Sequence, residues 1–251
     1  MIPVFLTSIR DVPPSGWEEG LLYDIWLNLL KADRYKMLLS GLSLTMQITV
    51  LAAILGIVLG FIAALMRLSP FEIRVFGRRV YPLRAISTVY ISVVRGLPMV
   101  VQLLIMYFVV FLTSGFSKIV IATIAFGVNS GAYVAEIFRA GILSVDHGQT
   151  EAGRSVGLSS VKTMRLIILP QAVKNALPAL CNEFISLLKE TAIVGYIGME
   201  DLTKMGDIIR SRTYSPFVPL ITVGLMYLTI VLILTWLLGK LERRLRKSDT
   251  R

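Results

Sequence analysis

The sequence predicts an all-α integral membrane protein of about five transmembrane helices, with the N-terminus outside and the C-terminus cytoplasmic. Three observations predict it. The 251 residues are 55% apolar and only 17% charged, against roughly 45–50% and 25% in an average soluble domain. The mean hydropathy of +0.72 is concentrated in long blocks, as a lipid-facing helix requires and a globular core does not. The basic residues are also unequally shared between the segments that join those blocks.

Residues 1–40 form an N-terminal extracytoplasmic or interfacial segment. Met1 to Ile9 lacks the basic start and the long apolar run of a cleaved signal. Between Trp17 and Leu30, the apolar Leu21, Leu22, Ile25, Trp26 and Leu29 recur at loosely helical spacing. That pattern suits an amphipathic stretch at the outer interface or a packed external turn.

Residues 41–239 form the transmembrane domain. Its surest span, 41–66, carries no charge and reaches about 39 Å at ~1.5 Å per residue, enough to cross a core of ~30 Å with tilt. Gly56 and Gly60 lie four apart in it, a small-residue ridge that allows close helix approach within this chain or to a second copy. Further spans are expected at 97–113, 119–143, 171–194 and 217–239, followed by a basic tail, 240–251.

Sidedness follows from charge. Fourteen Lys and Arg residues lie in the loops 67–85 and 144–169 and in the tail, against eight in the segments expected on the other face. The richer set faces the cytoplasm. The net charge of +10 is then a topology signal and does not point to nucleic acid. A single cysteine, Cys181, and a single histidine, His147, leave no disulfide framework and no metal-ligand cluster.

The loop 144–170 reads as two short helices. Thr150 can cap the first, Glu151 favours its positive end, Gly157 suits the left-handed position past its end, Leu158 closes the turn, and Ser159 or Ser160 can cap the next.

Charges inside the spans are expensive and therefore informative. Glu136 and Arg139 fall at i,i+3 near the inner interface and can pair. Arg95 precedes the helix-starting Pro98 and reads as an interfacial anchor. Asn182, Ser186 and Lys189 follow at helical spacing, with Glu183 beside them, giving one polar stripe in the fourth span. Asn129, Tyr133 and Glu136 share a face in the third. Two readings stand side by side: Asn129, Glu183 and Lys189 meet a polar cargo at mid-membrane, or they form a buried inter-helix network.

Glu151-Ala152, Gly157 six residues after Glu151, then Ile167, Leu169 and Pro170 resemble the cytoplasmic EAA motif of ATP-binding-cassette importer permeases, with Gly153 where a second alanine is usual. The glycine loosens the short helix by ~1 kcal/mol and removes no contact group. Val94-Arg95-Gly96-Leu97-Pro98 with Val101-Gln102, Ala132-Tyr133 with Glu136, and Asn182 through Lys189-Glu190-Thr191 are similar to the polar amino-acid branch of that family. Leu97 and Ala192 depart from its common Thr and Ser.

The resemblance implies a type I ABC importer fold in a bacterial cytoplasmic (inner) membrane. It also implies two cytoplasmic ATPase subunits that bind ATP and Mg, a second permease subunit (identical or homologous), an extracytoplasmic solute-binding protein and an amino-acid cargo. Glu151, Ala152, Gly153, Gly157 and Leu158 would take the coupling role. This chain would hold no cofactor and be no enzyme, since no G-x-x-x-x-G-K-[ST] loop occurs in it. The rival is an ion-coupled secondary transporter with Glu183 as proton carrier, whose inverted repeat is missing from the sequence.

Overall fold

A computed structural model describes residue 16, residues 20–75 and residues 78–247; the side chains of Val75 and of residues 242–247 are outside that description. The readings made on Met1 to Ile9, on Trp17 and on residues 248–251 lie outside the described residues.

The elements are α1 (Leu21–Ile25), α2 (Arg34–Leu68), β1 (Ile73–Val75), β2 (Arg78–Val80), α3 (Pro82–Gly96), α4 (Met99–Ile105), α5 (Lys118–Leu143), α6 (His147–Ser155), α7 (Ser160–Thr163), α8 (Leu169–Glu190), α9 (Leu202–Thr213) and α10 (Phe217–Lys247). Single π-helical turns extend α1, α4 and α7, over Trp26–Leu30, Met106–Val110 and Met164–Ile168. Backbone packing divides the chain into two compact units.

The unit of Met1–Ile48 and Leu188–Leu234 packs the start of α2 and of α10 around α9. Leu38, Leu202, Met205, Ile209 and Val223 form its core. Gly41 lets the α2 backbone approach the Asp201 backbone so closely that a Cβ would stand 2.8 Å from its carbonyl. Thr45 Oγ1 then accepts the Leu202 amide at 3.2 Å. Trp26 is buried, and Asn28 Oδ1 accepts from the Thr213 hydroxyl at 2.6 Å, so the stretch through Leu30 packs on α9. The stretch is helical, so its C-terminal half is packed without being a turn.

The unit of Thr49–Leu187 and Thr235–Arg251 is built on α5, whose buried side is mostly small residues. Cβ atoms at Gly56 and Gly60 would meet Ser130 Oγ at 3.0 Å and Val134 Cγ1 at 2.5 Å, so the small-residue ridge of α2 serves packing inside this chain. At the far end of α5, Gly141 admits the Ala172 carbonyl and Ala176 of α8. Ala64, Val134, Phe138 and Ala176 close the core between these crossings.

Among the described residues, three helical stretches are long and apolar enough to cross a membrane: Leu21–Leu68, Lys118–Leu143 and Phe217–Leu241. The expected second span differs. Pro82–Gly96, taken from sequence as the end of a loop and its continuation, is a helix, and it meets the helical run Met99–Val110 at a bend of 107°. Leu97 is extended at the break and Pro98 precedes α4, since proline disfavours a helical residue before it and has no N–H to give. The fourth expected span, 171–194, is helical as α8 and then a 3₁₀ turn. Four ionisable residues in α8 leave it less apolar than a lipid-facing helix.

Candidate functional site

The coupling-type loop folds as two capped helices. Asp146 caps α6, accepting the Gly148 amide at 2.6 Å, so the helix starts before Thr150 and the threonine is not its cap. Asp is a somewhat better cap than Thr, and the backbone path places it at the helix start. Gly157 adopts φ 85° and lets the Leu158 amide reach the Gly153 carbonyl at 3.1 Å. That is the left-handed stop predicted from sequence. Ser159 caps α7 by accepting the Lys162 amide at 3.3 Å.

Gly153 is buried, and a Cβ there would lie 2.7 Å from Thr163 Cγ2 and 3.0 Å from Ile167 Cδ1. The glycine therefore sets the distance between α6 and the next helix, a role that helix propensity alone does not reveal. Glu151 and Ala152 point outward, and beside them Val156 and Val161 are 77% and 76% exposed. A charged and apolar surface is thus presented by α6 and the turn that leads into α7. Gln171 Nε2 of α8 donates to the Ile167 carbonyl at 3.0 Å and, more weakly, to Gln149 Oε1 of α6 at 3.5 Å. Asn175 Nδ2 donates to Ser144 Oγ at 2.9 Å. Helical backbone is continuous from Ser160 through Pro170 to Glu190.

Along that helix, within the same unit, lies a cavity of about 530 Å³ lined by Arg95, Tyr133, Glu136, Arg139, Asn175 and Glu183 among others. Arg95 stacks over the Tyr133 ring, its guanidinium carbon 4.9 Å from the centroid. Glu183 accepts from the Ser130 hydroxyl at 2.8 Å. Glu136 is held twice, by Arg67 from the end of α2 through Oε1 and by Arg139 through Oε2 at 2.9 Å. The expected i,i+3 pair is present, with Arg67 as a third member that its distance in sequence concealed.

The other residues singled out from sequence separate. Asn129, 4% exposed, donates to Gln102 Oε1 at 3.2 Å, and Gln102 in turn donates to the Val94 and Leu97 carbonyls at 2.6 and 2.9 Å. It ties the broken α3–α4 corner and does not line the cavity. Asn182, Ser186 and Lys189 also lie outside the lining. Sequence reasoning missed Arg95 and Asn175 as lining residues. Their signals were the break at Pro98, which ends α3 beside α5, and the spacing of Asn175, Ala179 and Glu183 on one face of α8.

Comparison with known proteins places these features in a family. The description "binding-protein-dependent transport system inner membrane component" matches residues 56–247. The arginine transport system permease protein ArtQ of Bacillus subtilis (strain 168) is 41% identical over 214 residues, which cover 84% of this chain and 94% of that protein. The glutamine transport system permease protein GlnP of Escherichia coli (strain K12) is 35% identical over 215 residues, covering 84% and 93%. A solved structure described as an amino acid ABC transporter with histidines superposes with a TM-score of 0.76 at 42% identity, covering 85% of this chain and 96% of that one. The MetNI methionine ABC transporter, at 18% identity and a TM-score of 0.70, shares the fold. With both sequence and fold in agreement over most of its length, the chain belongs to the family of binding-protein-dependent transport system inner membrane components.

Proposed function

We propose that this chain is the permease subunit of an ATP-driven importer of polar amino acids. In that reading it spans a bacterial inner membrane in five crossings, with the N-terminus outside. Two permease subunits form the pathway, two ATPase subunits bind ATP and Mg below them, and a solute-binding protein delivers cargo above. The relatives named for arginine and glutamine transport support the cargo class.

The observation that carries the reading is the unbroken helical path from Ser160 to Glu190, which joins the loop bearing Glu151 to the wall bearing Glu183. An ATPase subunit gripping α6 at Glu151, Ala152 and the Gly157–Leu158 turn displaces α7 and α8 with it, because Gly153 packs directly on Thr163 and Ile167. The cavity wall then shifts, and access alternates between the two faces.

The charges suit a zwitterion. Arg67 and Arg139 already neutralise Glu136, leaving Arg95 for a cargo carboxylate and Glu183 for its ammonium. Asn129 then supports the corner that positions Arg95, and Asn182, Ser186 and Lys189 serve elsewhere on α8.

The test is uptake by the full transporter in vesicles. Glu183→Gln and Arg95→Gln each lower transport at least tenfold, while the ATPase subunits still co-elute with the permease. Unchanged uptake in both variants would remove the cavity from the pathway.

A further inference from the structure

A second cavity, of about 460 Å³, lies where α2 and α5 end and α3 begins, lined by Arg67, Ser69, Tyr81, Arg84, Arg139 and Leu143 among others. Three guanidinium groups from three helices converge on it. The Glu136 carboxylate is already shared by Arg67 and Arg139, and Glu72 accepts from the Tyr81 hydroxyl at 3.0 Å. Among the described residues, Arg84 forms no ion pair.

The hairpin β1–β2 beside it adds to the charge. Its register places Arg74 directly opposite Arg79, a like-charge pair that is unfavourable without a counter-charge. Glu72 answers Arg79 at 3.7 Å, and among the described residues Arg74 and Arg78 form no ion pair. Phe71, Ile73, Val80 and Leu143 stand exposed among these arginines. The segment follows α2, a membrane-spanning helix, after a few residues. Positive charge mixed with exposed apolar groups at a helix end belongs to the headgroup layer of a bilayer.

We propose that this cavity and the adjoining hairpin bind the headgroup of an anionic phospholipid, with Arg84 and Arg67 on the phosphate, Arg74 and Arg78 adding attraction from the hairpin, and Leu143 against the acyl chain. A general basic bias needs no concave site; three helices that bring guanidinium groups to one pocket, next to an apolar wall, supply one. The inference is independent of the cargo, because Arg84 and the hairpin do not line the larger cavity.

Native mass spectrometry of the full chain in neutral detergent, exchanged against phosphatidylglycerol and phosphatidylcholine, tests it. The wild-type chain is expected to retain phosphatidylglycerol selectively. Arg84→Gln lowers retention about fivefold, and Arg74→Gln with Arg78→Gln lowers it further by a similar factor for each charge. Equal retention of the two lipids by the wild-type chain overturns the proposal, and that measurement requires no variant to fold. Displacement of the lipid by an equal concentration of inorganic phosphate also overturns it, since the pocket would then hold a bare anion. Loss of ATPase co-elution in Arg84→Gln with lipid retention unchanged would assign the surface to a protein partner instead.

Discussion

Gly153 shows how one missing methyl group decides an interface. Its Cβ position is occupied by Thr163 Cγ2, and Thr163 is β-branched, buried and stiff about its first torsion. Gly153→Ala therefore overpacks the α6–α7 contact at a cost of about 1–3 kcal/mol, outweighing the ~1 kcal/mol gained in helix propensity. Transport by the full complex is expected to fall. Adding Thr163→Ala removes the opposing methyl, and because Thr163 Oγ1 has no hydrogen-bond partner among the described residues, no bond is lost with it. Uptake by the double variant should return toward the wild-type rate. Failure of the second substitution to rescue the first would disprove the packing account.

Two aspartates outside the apolar helices, Asp207 in α9 and Asp201 at its N-cap, respond to acid in opposite senses. Hydrogen bonds from Arg210, at 2.6 and 3.0 Å, and from Lys204, at 3.1 Å, hold the Asp207 carboxyl below its ordinary range. Its stabilisation is complete above about pH 4 and is lost as the pH falls through the lower folded value. The pair is partly exposed, so the amount is at most about 1 kcal/mol. Burial pushes the N-capping Asp201 upward, even though it accepts the Thr203 and Lys204 amides. Its ionised form is disfavoured, and stability declines as the pH rises from about 4 through the raised folded value. Melting curves between pH 3 and pH 7 should show Asp207→Asn with less acid sensitivity and Asp201→Asn, which keeps a capping oxygen, with less loss on the neutral side.

At the scale of elements, α6 is a lever arm only because it is short, capped at both ends and packed on its neighbour. Glu151 is exposed on it and meets no ion-pair partner among the described residues, so its charge is available to a docking protein. Glu151→Lys should leave membrane insertion and helical content unchanged and abolish ATP-dependent uptake, by reversing a charge at the contact. Normal uptake in that variant would take the coupling role away from α6. The α3–α4 corner is the second decisive element. Pro98 stops one helix, Gln102 donates to the freed carbonyls while Asn129 donates to Gln102 Oε1, and Arg95 is delivered to the end of α3 where Tyr133 receives it.

For the molecule as a whole, the division of labour makes a simple prediction. Vesicles holding this chain alone should accumulate no amino acid under a proton or sodium gradient, whereas vesicles that also hold the ATPase subunits and binding protein should do so when ATP is supplied. Gradient-driven uptake by the lone chain would favour the ion-coupled rival.

Some of this was legible in the chain before any fold was known. Long uncharged blocks, the Glu-Ala motif followed by glycine and proline at fixed spacing, and the Gly56–Gly60 ridge are local patterns. Helix period and capping chemistry suffice to read them, because their partners lie within a turn or two of sequence. The long apolar helices over 41–66, 119–143 and 217–239, the left-handed stop at Gly157 and the Glu136–Arg139 pair are present as expected, whereas the stretch expected as a span at 97–113 is part of a bent helix pair. The composition of the cavity did not. Glu183 meets Ser130 across 53 residues and Arg67 meets Glu136 across 69, and no period in the sequence encodes which helix faces which. For Asn129 the sequence left cargo contact and an inter-helix network both open for the same reason: a buried amide is equally suited to either task. Its actual partner, Gln102, was set by the sharp corner at Pro98, where the chain turns by 107°. Local pattern thus specified the helices and their stops, while the choice of neighbours belonged to packing, since close approach at Gly56, Gly60 and Gly141 determines which side chains share a space.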